Sequence, residues 1–245
     1  MIELLRSESK KTLTTKGSFI LVASAVGVVA LVAASTVLSM PPENLDGPIH
    51  DQVAYFVGSI VVAVFALMMG VRSFTDEFRH GTIVATVLAI RSRTGLLVAK
   101  AIVSVGVVLI MSVLGLVTLV GVALSLSSVK GGELGLASSD WTAFVGFVGV
   151  MLVWTVIGIG LGAMVRNQVA GVVGALVWVL VIENFASGFV GEAARYMPGQ
   201  LAHAVARVSG TTNLVAVLPA AGLFIGYAVV VCLAAGLMLD RRDVL

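Results

Sequence analysis

The chain has 245 residues, of which 59% are hydrophobic and only 11% are charged, and its formal net charge is +2. A soluble domain of this length needs a more charged surface, so the composition excludes a soluble globular protein and indicates an integral membrane protein. The single cysteine, Cys232, excludes an intrachain disulfide framework and a cysteine-based metal site.

The first 17 residues alternate apolar and charged positions before a long apolar run begins. This alternation predicts a short amphipathic helix, residues 1–17, that lies in the membrane interface. A cleaved signal peptide is the alternative interpretation. It is disfavoured because the apolar run is too long for a signal-peptide core and because the leading segment contains the acids Glu3 and Glu8.

Six apolar runs are each long enough to cross about 30 Å of hydrocarbon, which requires about 20 helical residues. The predicted fold class is therefore an all-α integral membrane protein with six transmembrane helices in one domain, residues 1–245. The third run is longer than the bilayer requires, which predicts that it tilts or projects from the membrane. The predicted spans are residues 18–40, 53–71, 102–126, 141–165, 168–190 and 214–239.

Lysine and arginine are distributed unevenly among the segments that connect these spans. Most of them lie before the first span, between the second and third spans, or after the last span. The connections on the other side contain only Lys130, Arg195 and Arg207. The positive-inside rule therefore predicts that both termini and the 72–100 segment are cytosolic.

The 72–100 segment mixes charges with an apolar stripe at roughly helical spacing. It cannot span a bilayer, because each of its charges would cost several kcal/mol there. We predict that it lies in the interface or against a soluble partner, and that force from another protein enters here. The apolar stripe is Phe74, Phe78, Ile83, Val87 and Ile90, and the charged positions are Asp76, Glu77, Arg79, His80, Arg91 and Arg93.

The fifth predicted span contains a carboxylate, Glu183, followed by Asn184. At about 1.5 Å per residue, Glu183 lies roughly 22 Å from the cytosolic end of the span. Such a group is expensive in a membrane, so it marks either a functional site facing a cavity or a glutamate that fixes packing between spans or monomers. The connection that follows, residues 191–213, predicts a short helix at the outer interface.

Only the short stretch Arg166-Asn167-Gln168 joins the fourth and fifth spans, which predicts an antiparallel helical hairpin. Glycines would let the two backbones of this hairpin approach closely. The glycines concerned are Gly158, Gly160 and Gly162 in the fourth span and Gly171 and Gly174 in the fifth.

None of the five lysines follows a glycine, so a phosphate-binding loop of the G-x-x-x-x-G-K-[ST] type is excluded. The sequence therefore predicts a chain that is not itself an ATPase and has no catalytic, cofactor-binding or metal site of its own. Ser187 and His203 give only a faint likeness to an intramembrane serine protease, because the glycine two places before the serine is missing. A single carboxylate, Glu183, gives little support for an ion-coupled carrier, because such a carrier would need a relay of ionisable groups.

Several motifs resemble those of one family, the ABC-2-type permeases. Glu77-Phe-Arg-His-Gly81-Thr82, followed by Arg91-Ser-Arg93 and Lys100, is similar to the E-x-x-x-G-T…R…K signature that follows the second of six spans in that family. The stretch from Glu8 to Lys16 resembles the N-terminal entry of these permeases. Glu183 and Arg195-Tyr-Met-Pro198 resemble their fifth span and outer loop.

The resemblance implies the permease subunit of an ATP-driven ABC exporter in a bacterial plasma membrane. It implies a pair of permeases, most simply a homodimer, on two separate ATP-binding subunits that hold ATP and Mg, while this chain binds no cofactor. Residues 76–89 would form a coupling helix, short re-entrant helices would follow the fifth span, and Glu183 and Asn184 would line the substrate path or pack the dimer. The implied ATPase-coupling residues are Phe74, Asp76, Glu77, Phe78, Arg79, Gly81 and Thr82, with the two phenylalanines as apolar anchors and Gly81-Thr82 ending the helix.

Other classes of function remain open at this stage. One is a secondary transporter or channel that works alone, and another is a structural or regulatory membrane subunit. The 72–100 segment would then be an interfacial helix that only stabilises the bundle. The substrate is not predicted, because apolar cavity walls do not discriminate among drugs, peptides, lipids and polysaccharides.

Overall fold

The computed structural model describes residues 2–41, 45–48, 60–79, 81, 93–165, 167–207 and 214–241, and these are almost entirely helical. Two-residue strands at Gly47–Pro48 (β1) and Leu134–Gly135 (β2) pair in parallel. The helices are α1 Ile2–Thr14, α2 Lys16–Ser39, α3 Ile60–Arg79, α4 Arg93–Val129, α5 Ser138–Val165, α6 Gln168–Val177, α7 Glu183–Val190, α8 Pro198–Val205 and α9 Val217–Arg241.

Four of these helices, α2, α4, α5 and α9, are long and apolar enough to cross a membrane. The other two predicted spans have a different form. The second span, 53–71, begins outside the described residues, and its helix α3 runs on to Arg79. The fifth, 168–190, is α6 and α7 joined by a π-helical turn at Trp178–Ile182. The all-helical class is confirmed, and the count of six spans stays a prediction.

The long helices alternate in direction between two ends of the bundle. At one end, which we call the charged end, α1, the last turns of α3 (72–79) and the first turns of α4 (93–100) meet. Leu4 of α1 and Leu239 of α9 both contact an apolar cluster there that includes Phe74 and Ile159. The described N- and C-terminal helices therefore reach the same end, as an even number of crossings requires.

Helix α5 is the centre of the bundle and contacts α3, α4, α6, α8 and α9. It approaches α3 backbone to backbone: a Cβ at Gly158 would meet the Leu67 carbonyl oxygen, and one at Gly70 would meet the Thr155 oxygen. On another face, Trp154 of α5 meets Phe224 of α9 edge to face, with ring centroids 5.4 Å apart.

Most of the glycines that were predicted to join the fourth and fifth spans instead contact other helices. Gly158 and Gly162 lie in the contact with α3, the helix of the second predicted span, and Gly160 lies against Val231 of α9. Of the two glycines of α6, Gly171 lies close to the Val71 side chain of α3, while Gly174 faces open space. The glycine spacing correctly indicated a close helix contact but not the helix that fills it.

Helix α4 has 37 residues, so it is about 55 Å long at about 1.5 Å per residue and exceeds the hydrocarbon thickness of about 30 Å. The predicted excess length of the third apolar run is confirmed, and whether the helix tilts or projects from the membrane stays a prediction. Its first two turns lie at the charged end, where Lys100 contacts α1 and α3. At the opposite end of the bundle, α4 lies against the C-terminus of α2.

At the end opposite the charged end, Lys130 completes the C-terminus of α2. Its Nζ donates to the carbonyl oxygens of Val37 and Leu38 at 3.2 and 3.0 Å and also to that of Met40. These are carbonyls with no helical donor, and a cation at a helix C-terminus also favours the helix dipole. This contact explains why one lysine lies on the side that is otherwise poor in positive charge.

We expect Gly158→Ala to destabilise the bundle by about 1–3 kcal/mol, because the added methyl group overpacks the contact between α5 and α3. The matched control is Gly149→Ala, in the same helix with open space around its Cβ position, which should be neutral or slightly stabilising through helix propensity. Thermal unfolding in detergent measures both. Equal stability of the two variants would contradict the close backbone contact.

Candidate functional site

Lys100 of α4 is the buried centre of the charged end. Its side chain is 2% exposed, and its Nζ donates to Glu8 Oε2 and Glu77 Oε1, each at 2.9 Å. The third proton goes to the backbone oxygen of Ser73 at 2.7 Å. The ammonium also lies 5.3 Å from the centroid of the Phe74 ring. All three donors of the ammonium are thus used within the chain.

Lys11 of α1 joins the same two carboxylates from the solvent side. Its Nζ lies 2.8 Å from Glu8 Oε1 and 3.0 Å from Glu77 Oε1. Glu8, Lys11, Glu77 and Lys100 therefore form a closed, charge-neutral arrangement, which we call the ionic ring. It joins three elements, α1, α3 and α4, whose residues are up to 92 positions apart.

The electrostatics of the ring follow from its burial and its neutrality. Burial alone would raise the pKa of Glu8, but Lys100 and Lys11 outweigh it and hold that pKa below 4.5. Burial would lower the pKa of Lys11, but its bonds to Glu8 and Glu77 raise it above 10.5. Removing one partner of such a buried pair leaves an uncompensated charge, which costs about 3–5 kcal/mol.

A second link fixes the start of α2 to the same part of α3. Arg72 Nη1 donates to the carbonyl oxygen of Gly17 at 2.8 Å, and Nη2 lies 3.1 Å from Asp76 Oδ2. A side chain at position 17 would overlap the Arg72 guanidinium. The ring and this link together hold the junction of α1 and α2 on the last turns of α3.

The predicted coupling residues do not share one surface. Phe74 is fully buried and Glu77 is 6% exposed, so both side chains face the interior of the chain. Phe78 is partly buried against the Phe74 cluster, and Asp76 is paired with Arg72. Their burial favours a positioning role for Phe74 and Glu77 over direct contact with a partner.

Arg79 and Gly81 are exposed at the end of α3. Arg79 Nη1 donates to Gln168 Oε1 of α6 at 3.5 Å, and Gly81 has a φ of +66° with its N–H donating to the Phe78 oxygen at 3.3 Å. A left-handed glycine just after a helix is a common C-terminal stop, so the predicted helix end at Gly81 is confirmed. Thr82, together with the rest of the 76–89 segment beyond Gly81, lies outside the described residues.

Glu183 lies at the opposite end of the bundle, far along the chain from the ring. It is 4% exposed, and its oxygens accept hydrogen bonds from Trp178 Nε1 at 3.1 Å and from the Gly199 backbone N–H at 2.8 Å. Both contacts lie within the chain, and the choice between a cavity-facing and a packing glutamate stays a prediction. The side chain of Asn184 lies outside the described part of the chain.

Three members of the ring, namely Glu8, Lys11 and Lys100, were not among the predicted coupling residues. Glu8 and Lys11 lie in the N-terminal motif, and Lys100 ends the signature that follows the second span. The available signal was local: Glu8 and Lys11 are three residues apart on one helix face. Nothing in a single sequence pairs Glu8 with Lys100. Glu77 Oε2 is buried without a hydrogen-bond partner among the described residues, so the ring does not use every acceptor it contains.

We expect Lys100→Met to destabilise the folded chain by about 3–5 kcal/mol, because it leaves Glu8 and Glu77 buried with only the half-exposed Lys11 between them. Lys10→Met, at an exposed lysine of α1, is the control and should change stability by less than about 0.5 kcal/mol. Thermal unfolding in detergent compares the two. A Lys100→Met protein as stable as the Lys10→Met protein would contradict the role given to the ring.

Docking of α1 should depend on pH at both extremes. Because the folded-state pKa of Glu8 is depressed, its contribution is present above pH 4.5 and is lost as the pH falls through that lower folded-state pKa. Because the pKa of Lys11 is raised, its contribution is present below pH 10.5 and is lost as the pH rises through the higher folded-state value. The measurement is the mobility of a nitroxide on Ser7→Cys in a Cys232→Ser background.

The nitroxide should be immobile between these limits and should become mobile in acid. In Glu8→Gln the label should already be mobile at neutral pH, and the acid transition should disappear. An acid transition that is identical with and without Glu8 would contradict this assignment.

The chain is similar in sequence to one known protein family. Residues 4–182 match the family described as ABC-2 family transporter protein. The match spans well over half of the 245 residues and includes all four members of the ionic ring. No curated protein matches the chain. The chain therefore belongs to the ABC-2 transporter family and is a membrane permease of the ABC transporter type.

Proposed function

We propose that this chain is the permease subunit of an ATP-driven exporter and that it works on two separate ATP-binding subunits. Two copies of the permease, as a homodimer, would form the substrate path between them. ATP and Mg would be held by the partner subunits, since no phosphate-binding loop occurs in this chain. Family membership supports the permease role, and the remaining steps rest on the arrangement of the charged end.

The ATP-binding subunits would dock at the charged end, in the cytosol. The distribution of lysine and arginine favours a cytosolic position for this end and for both termini in a bacterial plasma membrane. Arg79 and Gly81 are exposed there and lead directly into the 82–92 segment. We expect the contact surface to include Arg79, Phe78 and the residues that follow Gly81.

The ionic ring is the observation that carries the coupling proposal. A force applied after Gly81 acts on the last turn of α3, where Glu77 is bonded to both Lys11 and Lys100. Because buried ion pairs are costly to break singly, α1 and α4 would move with that turn. Helix α4 would then transmit the displacement along its full length to the opposite end.

Within this mechanism the buried coupling residues act by positioning. Phe74 fills the apolar cluster beneath the ring, and Glu77 connects the lysines of α1 and α4. Asp76 orients Arg72, which holds the backbone at Gly17. The permease itself performs no chemistry: ATP hydrolysis on the partner drives alternating access of the path between the two copies.

The test is purification of the tagged chain in mild detergent from its native host, with mass spectrometry of the proteins that remain bound. We expect a soluble protein with a Walker A motif in stoichiometric amount. Arg79→Glu should weaken its association about tenfold, because an exposed docking charge is reversed. Lys10→Glu, an exposed reversal on α1, is the control and should retain the partner.

The variant Phe74→Ala distinguishes a residue that positions the charged end from one that contacts the ATP-binding partner directly. It should destabilise the permease by about 3–5 kcal/mol, as loss of a buried phenylalanine does, while the molecules that stay folded keep the partner. A gentle preparation with no ATP-binding protein would overturn the proposed function. It would favour a transporter or channel that works alone.

A further inference from the structure

Three cations near the start of the chain take no part in the ionic ring or in the Arg72 link. Arg6 and Lys10 lie on α1, Lys16 begins α2, and all three are exposed. We call them the N-terminal cations. Among the residues that the structure describes, their side chains have no hydrogen-bond or ion-pair partner, whereas the two ring lysines at the same end are bonded within the chain. Their charges are therefore available to a ligand outside the chain.

Helix α1 carries two of these cations on the side that faces away from the protein. Glu8, which is buried in the ring, marks the inward side of the helix. Arg6 and Lys10 each lie two residues from Glu8. At about 3.6 residues per turn, this spacing places both of them on the opposite, outward side.

Exposed apolar side chains accompany the cations on the outward side of α1. Ile2 is 82% exposed and Leu13 is 56% exposed. They lie about three helical turns apart, so they share one side of the helix, with Arg6 between them. A helix face that combines exposed apolar side chains with lysine and arginine is typical of a helix that lies among lipid headgroups.

Lys16 fixes the depth of this face relative to the membrane. It begins α2, which is long and apolar enough to cross a membrane, and only Thr15, with an extended backbone, separates it from α1. Phe19 and Ile20, three and four residues further on, lie on the same side of α2 as Lys16 and are exposed. Lys16 therefore lies at the boundary between hydrocarbon and headgroups, where a long cationic side chain reaches the phosphates.

We propose that the N-terminal cations bind the headgroups of anionic phospholipids in the leaflet next to the charged end. The lipid phosphate would lie among the cations, and Ile2 and Leu13 would contact the upper part of the acyl chains. Of the two acids in the first 17 residues, Glu8 is used in the ring, so only Glu3 offsets the three cations. Helix α1 is thus held by the ring on one side and by lipid on the other.

A soluble protein, such as an ATP-binding subunit, is the other occupant to be tested on this face. The position of Lys16 favours lipid, because the exposed Phe19 and Ile20 begin only three residues further along a helix that can cross the membrane. A soluble subunit does not reach the hydrocarbon boundary. The lipid site does not depend on the proposed export function, so the two can fail separately.

The experiment uses the full chain with an added tryptophan, Leu13→Trp, in nanodiscs of phosphatidylcholine and phosphatidylglycerol. Bromine on the acyl chains of a lipid quenches tryptophan fluorescence on contact. Brominated phosphatidylglycerol and brominated phosphatidylcholine are therefore compared at the same mole fraction. The signal of the native tryptophans, Trp141, Trp154 and Trp178, is measured in the chain without Leu13→Trp and subtracted.

We expect the lipid beside position 13 to be enriched in phosphatidylglycerol by about fivefold or more, because each lysine or arginine at an anionic surface raises the affinity by about that factor. The triple variant Arg6→Gln, Lys10→Gln and Lys16→Gln should bring the enrichment close to none. Added salt should weaken it, since exposed charges are screened. The control Arg207→Gln removes an exposed cation elsewhere and should leave the enrichment unchanged.

Folding of the triple variant is checked by thermal unfolding in neutral detergent. It should match the parent there, because the replaced side chains have no partner among the described residues. Equal quenching by the two lipids in the parent would overturn the site, as would an enrichment that the triple variant retains. No quenching by either lipid would show that α1 does not face the membrane. Loss of the ATP-binding partner from the triple variant, without lipid enrichment in the parent, would assign this face to the protein partner instead.

Discussion

The ionic ring is the constraint on which the rest of the structure depends. It joins two lysines and two glutamates from α1, α3 and α4 through four Nζ–Oε contacts of 2.8 to 3.0 Å, with Lys100 almost completely shielded from solvent. A single charge in that environment would be costly, so each element needs the others in order to remain neutral. The ring thus holds α1, α3 and α4 together as one unit at the charged end.

The long helices connect this body to the opposite end. Helix α4 begins beside the ring and ends at Val129, and the next residue, Lys130, binds the last carbonyls of α2. Helix α5 is in backbone contact with α3 through Gly158 and Gly162 and with α8 through Gly146. Close-packed contacts of this kind transmit displacement, because neither helix can move without the other. The charged end is therefore mechanically connected through α3, α4 and α5 to the opposite end, where Glu183 lies.

Composition and hydropathy were sufficient for the class, and local patterns were sufficient for several boundaries. The all-helical membrane class, the N-terminal helix, the excess length of α4 and the helix end at Gly81 all follow from rules that involve neighbouring residues. Four helices meet the length and hydropathy needed to cross a membrane. Helix α3 carries charges in its last two turns, and the fifth segment is interrupted by a π-helical turn, so apolar length alone does not describe either of them.

The contacts of the site could not be predicted in the same way, because they join residues far apart in the chain. Amphipathic spacing marked Phe74 and Glu77 as docking residues, yet packing in three dimensions buries both. The glycines of α5 indicated close contact, and only the fold identified α3 as the neighbour. Glu183 was recognised as a costly buried charge, but its acceptor role toward Gly199 depends on where α8 folds back.

The measurement that tests the central claim most directly is a double-mutant cycle on Glu8 and Lys100. Glu8→Gln, Lys100→Met and the double variant would be compared by amide hydrogen exchange of α1 in the full chain. The double variant keeps the Lys11–Glu77 pair and removes one charge of each sign. We expect its α1 to be better protected than that of Lys100→Met alone, with a coupling energy of about 0.5–3 kcal/mol. Additive effects of the two substitutions would show that Glu8 and Lys100 act independently and would contradict the ring as the unit that joins α1, α3 and α4.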